Sequence, residues 1–443
     1  MQSTSEAGAV GTTAVSGTAV GKARVPVIII LALVVCGGLA AWAYQLAGGL
    51  AVTGMNNGTS WGLYIASFMF FVGLSAGGLI VASSASVFGV KSYKRVARPA
   101  VLLSTVCIVA AAAFVLVDLG GVQRALNLLT HANLTSPLMW DVIVITVYLA
   151  INIVYLVLMA RPAGRRSDRA LAVASRVALP VAILVHSVTA WIFGLEIAKV
   201  GWHSAIMAPL FVTSALDSGL ALLLIVLVVL SATRLFAIEK KLLASLAGLL
   251  VVCVAVDAFM VGCEVLTMAY PGAHEEAAIL GALFSGTSAP FFWGEVVLGL
   301  VVPFLLLVSA KARQSTPVVV VASALVVCGV FLKRVWLLVT SFAAFNVEGA
   351  PGVAYGRSAL SGTESWALAG TYAPTWVEVV VVLGVVALAA LIYVALAPRL
   401  FGEKTGPLVE AEAVPPAPAA PSSEAASGAK ATGVATSAAS EVV

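Results

Sequence analysis

The chain has 443 residues, of which 61% are hydrophobic and only 10% charged, with a mean hydropathy of +1.08. Soluble domains carry roughly 25% charged residues, so a water-soluble globular protein is excluded, and the apolar runs leave no room for a sizeable soluble domain. The net charge of +4 is not a nucleic-acid footprint, because its cations sit in short loops between apolar segments, where they set membrane orientation.

Residues 1–24 are rich in Gly, Ser, Thr and Ala and end in Lys22 and Arg24; they read as a disordered tail. A bilayer core about 30 Å thick needs about 20 apolar residues per helical span. Runs of that length predict helices over 25–46, 61–88, 97–119, 138–160, 171–196, 205–233, 242–269, 290–310, 315–345 and 374–397. The fold class is therefore all-α, a polytopic membrane protein of about ten transmembrane helices filling residues 25–398. The first run is longer than the roughly 7–15 apolar residues of a signal peptide, so it reads as a span although Ala41-Trp42-Ala43 looks like a cleavage site. Residues 399–443 turn to Pro, Ala, Ser and Glu, a composition that cannot bury a core.

Lys and Arg alternate in number from one side of the spans to the other. One side holds 19 of the 24, including Lys91, Lys94, Arg95 and Arg98, and the run from Arg161 to Arg176. The opposite side holds only Arg124, Lys199 and Arg357, with Lys333 and Arg334 inside a span. This asymmetry predicts that both termini face the cytoplasm, in a plasma (inner) membrane.

Ionisable groups in hydrocarbon cost several kcal/mol, which makes each a functional candidate. Asp118, Asp141, Glu196, Glu264, Glu295 and Glu378 fall in the outer halves of their spans, His186 and Asp257 deeper. Interfacial caps are the plain alternative for Asp118, Glu196 and Glu378, and Asp141 follows Ser136-Pro137 where it complements a helix N-terminus. Lys333 and Arg334 lie about 100° apart on a helix, so one is expected to pair inward and the other to reach the interface. Asn56, Asn57 and Trp61 precede Gly73-Leu74-Ser75-Ala76-Gly77-Gly78, small residues that let helix backbones approach. Among the four histidines only His186 is deep in a span, which argues against a membrane haem, and the five cysteines form no C-x-x-C pair.

Asn57-x-x-x-Trp61-Gly62-Leu63-x-Ile65 with Phe70-Phe71-Val72-Gly73-Leu74-Ser75-Ala76-Gly77-Gly78 resembles the NrfD/PsrC family of polysulfide reductase membrane subunits. Asp118-Leu119-Gly120, Ser136-Pro137-Leu138-Met139-Trp140-Asp141, His186 through Phe193, and Ala208-Pro209-Leu210-Phe211 follow in the family's order. Tyr372-Ala373-Pro374-Thr375-Trp376-Val377-Glu378 is similar to the last helix of its ten-span branch, which includes HybB, QrcD and the ActC and ActF proteins. The resemblance implies two four-helix bundles plus peripheral helices. It implies a menaquinone or ubiquinone substrate near the outer face, with no haem or iron–sulfur cluster in the chain. Its partners would be an iron–sulfur electron-transfer subunit and a molybdopterin catalytic subunit. Asn56, Asn57, Trp61 and Asp141 would line the quinone pocket; Asp118, Asp141 and His186 would handle protons; Asp217, Asp257, Glu295 and Lys333 would be a proton path. A secondary transporter, motivated by the mid-span charges, and a passive anchor are the competing readings.

Overall fold

This computed structural model describes residues 18–56, 58–87, 90–161, 165–343 and 372–401. Ten helices among them are long and apolar enough to cross a membrane. They are α1 (Thr18–Gly48), α2 (Leu63–Val87), α3 (Ala97–Asp118), α4 (Pro137–Ala160) and α5 (Arg165–Gly194). They continue as α6 (Met207–Ala232), α7 (Lys240–Ala269), α8 (Ala289–Leu307), α9 (Thr316–Ala343) and α10 (Trp376–Phe401). No strand occurs among the described residues. The all-α polytopic expectation holds, and each predicted span falls on one helix. α1 starts at Thr18, within the stretch read as a tail, so its last residues extend the first span. The remaining tail residues, 1–17 and 402–443, lie outside the described ones.

Helices suit a bilayer because every backbone polar group except those at the ends is satisfied within the element. α2 to α5 pack on one another as one group and α6 to α9 as a second. α2 and α5 meet α6, and α2 also meets α9. α1 and α10 form a peripheral pair, with α10 resting on α3. This is the expected pair of bundles with outlying helices.

Small residues set the closest crossings. A Cβ on Gly219 of α6 would sit 2.6 Å from the Gly77 Cα of α2, and one on Gly38 of α1 equally close to the Gly384 Cα of α10. Gly299 and Gly329 do the same for α8 and α9. The glycine run in α2 is thus a packing surface, and it seats α2 at the centre, where nearly all of its side chains are buried.

α8 is not a regular helix. Ala289–Trp293 and Val302–Leu307 are α-helical, while Gly294–Val301 between them winds as a π-helix. Pro303 has no N–H and its ring would crowd the carbonyl four residues earlier. The wider turn relieves that conflict and carries Glu295 into the interior, where it is 1% exposed.

Candidate functional site

His186, Thr189 and Phe193 follow one another at helical spacing and form a single buried face of α5. Each meets a predicted site residue or its neighbour. Thr189 Oγ1 lies 2.7 Å from Oδ1 of Asp141, which α4 presents from its first turns, and 2.9 Å from the Val185 carbonyl. Phe193 meets the edge of Trp61 with ring centroids 5.9 Å apart. Trp61 in turn stacks on Trp202 at 6.1 Å and 19°, and Phe342 of α9 packs edge-on to both indoles. Trp202 is fixed by its Nε1–H, which donates to the Leu337 carbonyl at 2.8 Å. Trp61 and Asp141 therefore flank α5 one helical turn apart.

One turn deeper, the Arg334 guanidinium of α9 donates to His186 Nε2 at 3.2 Å and to Ser214 Oγ at 2.6 Å, and lies 4.0 Å over the Phe211 ring. Because guanidinium has no acceptor, Nε2 must accept and the ring proton resides on Nδ1. The preceding residue, Lys333, turns the other way. Its ammonium reaches Asp257 Oδ1 and Oδ2 of α7 at 2.9 and 2.8 Å and Glu295 Oε1 of α8 at 3.0 Å. Trp336 Nε1 donates to Glu295 Oε2 at 2.5 Å, and Thr213 Oγ1 to Asp257 Oδ1 at 3.1 Å. Asp217 is fully buried beside Asp257 and Lys333.

One expectation changes here. Lys333 and Arg334 were expected to divide between interior and interface, yet both are 0% exposed. Their angular offset points them at two different sets of partners, and each finds enough polar groups to remain inside. The four residues of the predicted proton path, Asp217, Asp257, Glu295 and Lys333, are brought together in one cluster.

Other predicted residues stand elsewhere. Asn56 Oδ1 accepts from the Gly58 and Thr59 backbone N–H groups, both at 2.9 Å, so it shapes its own loop. Asn57 lies outside the described residues. Asp118 ends α3 with Tyr64 and Glu378 as its charged or ionisable neighbours. The Tyr64 hydroxyl donates to Gln45 Oε1 at 2.6 Å, and Gln45 Nε2 to the Val117 carbonyl at 3.1 Å, so this group joins α1, α2 and α3.

Sequence reading missed a neutral network. Ser104 Oγ lies 2.8 Å from both the Tyr148 hydroxyl and Asn152 Oδ1, and Ser75 Oγ lies 3.0 Å from that hydroxyl, tying α2, α3 and α4. The available signal was Asn152, an amide in the middle of an apolar run. Glu264, buried on α7, accepts from Ser204 at 2.8 Å and lines a small cavity with Trp336, Thr340 and Ser341.

The family model described as "Polysulphide reductase, NrfD" matches residues 51–346. A Halobacterium salinarum protein, named for the membrane subunit of a dimethyl sulfoxide reductase, is 39% identical over 386 residues, 83% of this chain and 88% of its own. An Hdr-like menaquinol oxidoreductase integral membrane subunit of Archaeoglobus fulgidus is 30% identical over 370 residues, 83% of this chain and 90% of its own. A selenate reductase subunit of Mesobacillus selenatarsenatis is 25% identical over 345 residues, 69% of this chain and 79% of its own.

Proposed function

The chain belongs to the NrfD polysulphide reductase family, and from that membership we propose that it is the quinone-reactive membrane subunit of a respiratory oxidoreductase complex. The observation that carries the reading is the α5 face on which Thr189 holds Asp141, Phe193 meets Trp61 and His186 meets Arg334. A quinone head is flat and carries two oxygens that gain or lose protons as its electrons move. Trp61, Trp202 and Phe342 offer flat aromatic surface for such a ring. Asp141 offers a carboxyl group, held by the Thr189 hydroxyl, of the kind that proton transfer at a quinone oxygen requires. His186 below them extends the polar chain toward the interior.

In this reading Trp61 orients the ring, Asp141 gives or takes the proton at the quinone oxygen, and Thr189 holds the carboxylate in place. Electrons pass between the quinone and a cluster in a partner iron–sulfur subunit, which itself serves a molybdopterin catalytic subunit. The names of the relatives, subunits of reductases and of a menaquinol oxidoreductase, support such an assembly. The Lys and Arg asymmetry supports cytoplasmic termini in a plasma membrane. The Lys333 cluster supports a proton path through Asp217, Asp257 and Glu295.

The test is Asp141→Asn in the purified complex, assayed with a short-chain naphthoquinone. Turnover should fall by about 10²- to 10⁴-fold, the usual worth of a positioned acid–base group, while the complex still purifies intact. Wild-type turnover in that variant would remove the central site.

A further inference from the structure

The loop that carries Asn56 and Trp61 is held from outside its own bundle. Glu378, on the first turn of α10, is 0% exposed, and its Oε2 accepts from the backbone N–H of Gly54 at 2.8 Å and of Thr375 at 2.9 Å. Its Oε1 accepts from the Tyr372 hydroxyl at 2.6 Å, and that hydroxyl accepts in turn from the Leu63 N–H at 2.7 Å. Thr375 Oγ1 donates to the Val52 carbonyl at 3.1 Å. Residues 372–378 thus grip the loop at Val52, Gly54 and Leu63, on both sides of Asn56 and Trp61.

The loop is shaped to be gripped. A Cβ on Gly54 would overlap the Ala373 carbonyl, and one on Gly62 would lie 2.5 Å from the Tyr372 ring. Both glycines are needed so that the loop backbone can press flat against the 372–373 segment. Burial and the hydrogen bond to the Glu378 carboxylate hold the Tyr372 phenol well above its ordinary value, so its proton stays available to donate. A carboxylate that accepts three hydrogen bonds is also a stronger clamp than neutral acceptors would be.

We propose that Glu378 and Tyr372 are positioning residues for quinone, a latch from α10 that fixes the 54–62 loop and with it the orientation of Trp61. The inference rests on the quinone reading above. Neither residue touches the Asp141–Thr189 pair, so their effect should fall on substrate binding and not on the chemical step.

The experiment compares Glu378→Ala, Tyr372→Phe and Gly62→Ala in the purified complex with Asp141→Asn. Two readouts are taken: KM and kcat for a short-chain naphthoquinone, and backbone amide exchange at Gly54 and Leu63. Loss of a charge-assisted clamp should raise KM by about tenfold in Glu378→Ala and speed exchange at both amides, with kcat little changed. Tyr372→Phe should speed exchange at Leu63 alone, and serves if Glu378→Ala does not assemble. Gly62→Ala should reproduce the rise in KM by displacing Tyr372 from the opposite side. Faster exchange with wild-type KM would overturn the positioning role, and unchanged exchange would overturn the latch itself. If Asp141→Asn leaves turnover intact, the quinone reading fails first and the proposal falls with it.

Discussion

The Lys333 cluster and the Trp61 loop are both polar, yet they are built on opposite principles. In the cluster, Lys333, Asp257, Glu295 and Asp217 are at most 1% exposed, and side chains answer side chains across four helices. At the loop, backbone N–H groups are the donors: Gly54 gives to the Glu378 carboxylate and Leu63 to the Tyr372 hydroxyl that the same carboxylate holds. Buried ions hold one another only while every partner is present. Backbone donors survive most substitutions, so the loop keeps its shape for as long as its clamp does. The cluster should therefore fail in assembly and the loop in binding.

The sharpest break in that contrast is Lys333→Met. It leaves Asp257 and Glu295 facing each other without their cation, and we expect a loss of about 3–5 kcal/mol, read as lower thermal unfolding of the solubilised chain. Adding Asp257→Asn should recover part of it. A single variant as stable as wild type would mean that water already reaches the cluster. At the other region, Trp61→Leu removes its contacts with Phe193, Trp202 and Phe342 and should lower unfolding by less than Lys333→Met, while raising the naphthoquinone KM by up to about tenfold. Equal effects on stability from Lys333→Met and Trp61→Leu would erase the distinction.

Between these extremes lies the neutral network. Tyr148→Phe removes the hydroxyl shared by Ser75 and Ser104 and should cost about 1 kcal/mol, measured by the same unfolding. The smallest effect belongs to the exposed pair of Arg95 and Glu239, whose side chains are 61% and 65% exposed. Glu239→Gln should change stability by less than about 1 kcal/mol, and raising the salt should remove even that.

The spans were legible because a bilayer imposes one length on every apolar run, and the family resemblance pointed to Asp141, His186 and Trp61, which the fold gathers around α5. Partnerships were less legible. Nothing in the local sequence of Lys333 and Arg334 says that one finds Asp257 and Glu295 while the other finds His186 and Ser214, since those groups come from four other helices. The π-turn in α8 was hidden because a run of apolar residues gives the length of a span but not how the helix around Pro303 accommodates the ring. Glu378 read equally well as an interfacial cap, and its partner Gly54 lies more than 300 positions away. The Ser75, Ser104 and Tyr148 network was missed because hydroxyls in apolar helices are usually satisfied by their own backbone.

The pairing of α1 with α10 has a consequence for biosynthesis. α1 is mostly exposed along its apolar length, and its close crossing, Gly38 on Gly384, belongs to α10. At about 5–20 residues per second, the ribosome delivers α10 on the order of half a minute after α1 has entered the lipid. During that interval the first helix keeps most of its length against lipid, tied inward through Gln45 to Tyr64 and Val117, and the loop bearing Trp61 remains unclamped. Locking of the loop therefore waits for α10, so that a chain halted before α10 would insert its bundles yet leave the loop unfastened.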